Sequence, residues 1–154
     1  MTQTRLRLLG ALLVLSTAAG WAVVRLVDAY AGHSLPVPWT AALVMLLLAI
    51  ALALWARGTR ARLEGRPGTK PMDPLVAARS AALAMAASRT GSLVAGFYLG
   101  AALGLVPGWD VAYVRERIII SLVTVVLAAL VVAAALWLER ICRVPPDDSD
   151  DPNV

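Results

Sequence analysis

The chain has 154 residues, of which 60% are hydrophobic, and its net charge is +4. A soluble domain is about 45–50% apolar, and here the surplus lies in long runs, so the composition indicates an integral membrane protein. Most positive charges are Arg residues that flank apolar runs rather than form one face, which argues against nucleic-acid binding. The single cysteine, Cys142, excludes an internal disulfide and a thiolate-rich metal site.

Four apolar spans are predicted in chain order, at about residues 8–27, 39–55, 80–106 and 118–138. With short loops they use nearly the whole length and leave no room for a separate soluble catalytic domain. The predicted fold is therefore an all-α bundle of four transmembrane helices over residues 1–144, with the third span central and closely packed. The acidic, Pro-rich tail at 145–154 is predicted to be disordered.

The first span also has features of a secretory signal peptide. Arg5 and Arg7 precede its apolar run, and Ala18-Ala19-Gly20 is typical of a cleavage site. The apolar run is long for a signal peptide, because it continues through residues 21–24. A retained span is favoured, and cleavage stays open.

The distribution of Lys and Arg predicts the orientation of the four spans. Ten of these residues lie on the side of the two termini, against three on the other side, namely Arg25, Arg115 and Arg117. Cytoplasmic loops carry the excess of positive charge, so both termini are predicted to be cytoplasmic in a multi-pass protein of the cell (inner) membrane. The basic loop at 57–70 is the main determinant, with binding of anionic lipid as a secondary role.

The third segment carries the strongest packing signal. Asp73 is a predicted helix N-cap, and Pro74 suits the first helical position. Small residues then recur at every fourth position: Ser80, Ala84, Ser88, Ser92, Gly96, Gly100 and Gly104. We call these seven residues the small-residue ladder; its members from Ser88 to Gly104 are the predicted helix-packing residues. In lipid, small residues let helix backbones approach closely.

Two interpretations of the ladder remain open. Against a period of 3.6 residues, a spacing of four drifts by about 40° per step, so the ladder winds around its helix. It serves either close packing within one monomer, which is favoured, or a homodimer seam.

Two arginines lie on the same helix. About twenty residues cross the hydrocarbon, which places Arg89 a few ångströms inside the inner edge when counted from Pro107. Arg89 either extends to the headgroups or faces the bundle interior. In the second case, Glu139 is the plausible acidic partner. Arg79 lies outside the span, where it can bind lipid phosphates.

The sequence contains no pattern that points to catalysis. It has no Ser/His/Asp set, paired carboxylates, P-loop or dinucleotide fingerprint. His33 stands alone in a loop, without neighbours at metal-ligand spacing. We therefore expect no enzymatic activity, no cofactor and no metal.

A set of small and boundary residues follows Asp73-Pro74, and the chain ends its last span with residues 138–145. The set comprises Ala78, Arg79, Leu83, Ala84, Ala86, Ser88, Gly91, Gly96, Tyr98 and Gly100. In these residues, in its four-span layout and in its length, the chain resembles the actinobacterial domain-of-unknown-function 3180 family, and the resemblance covers nearly the whole chain. Met85 stands where the family often has Lys, and Arg89 lies one turn on. The resemblance implies a four-span inner-membrane protein of high-GC Gram-positive bacteria, often encoded beside folate-biosynthesis genes, with no established activity.

Two functions are therefore carried forward. The first is a non-enzymatic membrane protein that acts as a small scaffold or accessory subunit, with an unknown membrane partner. The alternative is a small oligomeric transporter or channel. A site of that kind normally has a polar group at the bilayer midplane, and the sequence offers only hydroxyls such as Ser92 and Thr124 there.

The charge asymmetry gives a first testable prediction. A reporter that is active only outside the cytoplasm, fused after Gly65, should be inactive, because the basic loop stays in the cytoplasm. A matched fusion in the loop after residue 108 should be active. Activity of the Gly65 fusion would overturn the predicted orientation.

Overall fold

The computed structural model describes residues 2–31, 38–63 and 74–141. Within these ranges the chain forms four long α-helices and one short 3₁₀ turn. The helices are α1 (Thr2–Ala31), α2 (Trp39–Leu63), α3 (Pro74–Leu105) and α4 (Ala112–Ile141), and the turn is Val106–Gly108. The prediction of an all-α fold is confirmed.

All four helices are long and apolar enough to cross a membrane. The qualifying segments are Arg7–Tyr30, Trp39–Arg60, Ala78–Gly108 and Ala112–Ile141. Each helix extends beyond the apolar span predicted from the sequence, because helical hydrogen bonding does not stop where the apolar run stops. Only the third helix ends close to its predicted bound, since Pro107 lacks an N–H and directs the chain into the 3₁₀ turn. The N–H of Trp109 then bonds to the carbonyl oxygen of Val106 at 3.1 Å.

The helices pack in the spatial order α1–α3–α4–α2. The third and fourth helices are therefore the central pair, and within the described ranges α1 and α2 do not pack on each other. Neighbours in the chain run in opposite directions, so the ends at Arg7, Arg60, Arg79 and Arg140 share one side. We call this side the termini end and the opposite side the connector end.

Two apolar clusters hold the helices together at the two ends. Near the termini end, α2 joins the central pair through Leu52, Ala84 and Leu138, each at most 4% exposed. Near the connector end, α1 joins the central pair through Val24 and Ile118. Each outer helix is thus anchored in a three-helix cluster, one at each end of the central pair.

A buried stripe on α4 faces its neighbours along the whole helix. Its residues alternate in steps of three and four, the spacing of a left-handed coiled-coil seam. They are Ser121, Thr124, Ala128, Val131, Ala135 and Leu138, all fully buried. The stripe explains how α4 contacts α3 and α2 at once, and it was not predicted from the sequence.

The stripe predicts different outcomes for two adjacent alanines. Ala128 is fully buried, whereas Ala129 is exposed. Ala128→Leu should lower stability by about 1–3 kcal/mol, because a larger side chain overpacks the contact with α3. Ala129→Leu adds the same volume on the lipid side and should leave stability unchanged. Thermal melting in detergent checks both variants, and equal melting temperatures would contradict the packing described.

Candidate functional site

All seven residues of the small-residue ladder are buried. Ala84 lies in the apolar cluster with α2 and α4, whereas Gly100 lies against α1. Four steps of the ladder separate these two residues, and a drift of about 40° per step turns the ladder about 160° around its helix. One sequence pattern therefore serves opposite sides of α3, the α2 side at one end and the α1 side at the other.

The last three ladder residues contact α1, and two of them, Gly96 and Gly100, face its backbone. A Cβ atom added to Gly96 would meet the carbonyl oxygen of Leu13, and one added to Gly100 would meet that of Thr17. The Gly100 Cβ would also lie 2.8 Å from the backbone nitrogen of Trp21. Backbone atoms cannot turn aside as a side chain can, so both positions require glycine.

The contact is reciprocal, because α1 contributes a glycine of its own. A Cβ on Gly20 would lie 3.0 Å from the carbonyl carbon of Phe97, and one on Gly104 would lie 3.0 Å from Val24 Cγ1. We call Gly20, Gly96, Gly100 and Gly104 the glycine seam. Here the predicted packing residues of α3 contact a helix of the same chain.

Three serine and threonine hydroxyls between the central helices bond within their own helices, whereas the buried Ser121 Oγ has no hydrogen-bond partner among the described residues. Ser88 Oγ donates to the carbonyl of Met85 at 3.0 Å, and Ser92 Oγ donates to that of Ser88 at 2.9 Å. On α4, Thr124 Oγ1 donates to the carbonyl of Ile120 at 2.9 Å. These bonds satisfy the polar groups without a partner helix, so the hydroxyls pack as small residues.

A side-chain hydrogen bond joins α2 and α3 near the termini end. The indole N–H of Trp55 on α2 donates to Ser80 Oγ on α3 at 3.3 Å, and Ser80 Oγ donates in turn to the carbonyl of Val76 at 2.9 Å. The first residue of the ladder is therefore fixed to α2.

Arg89 is exposed and lines a cleft between three helices. The cleft has a volume of about 70 Å³ and a second charged residue, Glu139 of α4. Its other lining residues are Leu8, Leu9, Met85, Ser88 and Leu136. Side chains on a helix lean toward its N-terminus, so on antiparallel helices Arg89 and Glu139 lean toward each other. The acidic residue that the sequence offered as a partner for Arg89 thus lies on the same cleft.

The remaining predicted residues lie elsewhere. Arg79 is exposed on the first turns of α3 and does not line the cleft. Asp73, His33 and Cys142 lie outside the described residues, as do the tail and the basic loop beyond residue 63. In the part of the chain that the structure describes, no group of His, Cys, Asp and Glu is placed to hold a metal ion.

Two cations at the connector end lie over aromatic rings. The Arg25 guanidinium is 5.6 Å from the centroid of the Trp21 ring, and the Arg117 guanidinium is 5.2 Å from that of Tyr113. Aromatic rings favour the interface between lipid and water, so these contacts suit the end of a membrane span.

The residues of α1 that pack against the seam glycines of α3 were not predicted from the sequence. Leu13, Thr17 and Gly20 recur at steps of four and three, which is the spacing of one helix face. That signal was present, but a run of leucine and alanine on every side of the helix obscures the face. The apolar residues of the cleft have no sequence signal, because they come from three separate helices.

A comparison with known protein families gave a match. A family model described as "Protein of unknown function (DUF3180)" matches residues 9–146. The chain belongs to the DUF3180 family. The match includes α2, α3 and α4 and all of α1 from residue 9 onward, and the resemblance to this family is confirmed. A search of curated proteins and a search of solved structures gave no match.

The glycine seam predicts a graded series of alanine variants. Gly100→Ala should destabilise the protein, because the new Cβ meets backbone atoms of Thr17 and Trp21. Gly91→Ala should cost less, since its Cβ meets the Val132 side chain at 2.8 Å, and a side chain can move. Gly10→Ala has nothing within 4 Å and should be neutral or stabilising. Melting temperatures in detergent check this order, and a Gly100→Ala variant as stable as Gly10→Ala would contradict it.

The same seam separates the two interpretations of the ladder. Replacing Gly96 and Gly100 together by Ile should abolish the folded monomer, because both side chains collide with α1. Size-exclusion chromatography with light scattering measures the outcome. A variant that keeps a folded monomer and loses only a dimer would instead assign the seam to a contact between two chains.

Proposed function

We propose that this DUF3180 protein is a non-enzymatic scaffold or accessory subunit of the cell membrane, with both termini in the cytoplasm. The observation that carries the proposal is the use of its polar and small residues for packing. Ser88, Ser92 and Thr124 bond within their own helices. Three glycines of the seam, Gly20, Gly96 and Gly100, lie against backbone atoms of the neighbouring helix. These groups are used in packing between helices. This is expected of a scaffold, whose role is to present a stable surface to a partner.

The size of the Arg89 cleft supports the same proposal. Sites for drug-sized molecules occupy about 300–1,000 Å³. The Arg89 cleft is about 70 Å³, well below that range.

The placement of charge supports the proposed orientation. Arg7, Arg57, Arg60, Arg79 and Arg140 lie at the termini end of the helices. Arg25, Arg115 and Arg117 lie at the connector end. The termini end is thus the more basic one, as cytoplasmic sides of membrane proteins are.

The second candidate function is a small oligomeric transporter or channel. The observation in its favour is the Arg89 cleft, because charged residues that face a bundle often mark a substrate pathway. The cleft lies near the termini end, however, and the described contacts between the central helices at mid-depth are tight.

One experiment separates the two functions. The protein is purified in mild detergent, its mass is measured by light scattering, and it is reconstituted into vesicles loaded with folate-pathway pterins. The scaffold proposal predicts no flux above that of empty vesicles and co-purification of a defined membrane partner from the native host. Flux that depends on the protein would overturn the scaffold proposal, and a strict monomer without flux would exclude the transporter.

A further inference from the structure

We propose that the Arg89 cleft binds the headgroup of a phospholipid that carries both a phosphate and a primary ammonium group, as an ethanolamine lipid does. Arg89 would bind the phosphate, and Glu139 would accept hydrogen bonds from the ammonium. The inference requires a protein embedded in lipid, but it does not depend on whether the protein acts as a scaffold.

The depth of the cleft matches that of a lipid headgroup. Leu8 is the second residue of the span Arg7–Tyr30, and Glu139 lies two residues before the end of α4 at Ile141. Arg89 is deeper in the span, but its side chain leans toward the N-terminus of α3 and so toward the termini end. The cleft therefore opens at the edge of the hydrocarbon, where phosphates lie.

The two charges of the cleft select the kind of headgroup. A headgroup with a net negative charge would gain from Arg89 and be repelled by Glu139. A headgroup with both charges gains from both residues, since hydrogen bonds to charged groups are the stronger ones. A carboxylate has about four acceptor positions, so Glu139 can accept from an ammonium in addition to a contact within the protein.

The apolar walls of the cleft suit the rest of the lipid. Leu8 and Leu9 of α1 lie on one side and Leu136 of α4 on the other. Leu8 is 46% exposed, so its side chain is available to a glycerol backbone or an acyl chain. A volume of about 70 Å³ accepts the small ethanolamine group more readily than the bulkier trimethylated choline.

Native mass spectrometry of the full-length protein tests the proposal. The protein in detergent is mixed with equal amounts of phosphatidylethanolamine, phosphatidylglycerol and phosphatidylcholine of the same acyl composition. The ethanolamine lipid should bind most tightly, because glycerol carries no positive charge and choline has no N–H to donate. Equal affinity for the ethanolamine and glycerol lipids would overturn the proposal, and this comparison needs no variant.

Three variants then assign the two charges. Arg89→Gln should weaken binding of the ethanolamine lipid by about tenfold or more, which is the effect expected from the loss of a charged hydrogen bond. Glu139→Gln should weaken it as well and remove its preference over the glycerol lipid. Arg140→Gln is the matched control, because Arg140 is exposed next to Glu139 and does not line the cleft. An unchanged preference in Glu139→Gln would contradict the assignment.

A soluble competitor identifies the source of the headgroup. Free phosphoethanolamine carries the same phosphate and ammonium groups but has no acyl chains. At the same concentration as the ethanolamine lipid, it should therefore displace none of the bound lipid. If it displaces the ethanolamine lipid at that concentration, the cleft is a site for a soluble phosphate compound and the lipid proposal fails.

Discussion

The backbone contact between α1 and α3 is the constraint on which the rest of the structure depends. In lipid, apolar side chains gain little from leaving their surroundings, so two helices associate where their backbones approach closely. Gly96 and Gly100 allow this approach, and carbonyl oxygens of α1 occupy the space that side chains would otherwise fill. The contact also anchors α1 away from α2, which gives the bundle its order α1–α3–α4–α2.

The central pair combines two different periodicities. The ladder on α3 repeats every four residues and winds around the helix, so it serves α2 near one end and α1 near the other. The stripe on α4 repeats every three and four residues and stays on one face. The ladder winds around α3, whereas the stripe on α4 stays on one face. This combination allows α1 and α2 to pack on opposite sides of the central pair. The cleft at Arg89 lies on the side of α1, near the termini end, where α1 and α4 both border α3.

The sequence predicts features that depend on composition and on one helix at a time. The four spans, the small-residue ladder and the start of the third helix at Pro74 could all be read in this way. It is harder to predict which helices pack against α1. Apolar residues surround α1 on every side, and no polar face distinguishes its exposed surface from its buried one. Leu13 and Thr17 act through backbone carbonyls, which every residue has, so only their spacing with Gly20 on one helix face indicates the contact. That Arg89 and Glu139 lie on the same cleft was predictable from their charges, whereas the leucines around them become neighbours only through the fold.

The most direct test of the seam is a disulfide between α1 and α3 in native membranes. A Cβ on Gly104 would lie 3.1 Å from Val24 Cβ, close to the separation that a disulfide spans. With Cys142 replaced by Ser, the double variant Val24→Cys and Gly104→Cys should form a disulfide within one chain on mild oxidation. The product should migrate as a monomer in non-reducing gels. Without a reducing agent it should also unfold at a higher temperature than the reduced protein. A cross-linked dimer, shown by co-purification of differently tagged chains, would contradict the central role of the seam within the monomer.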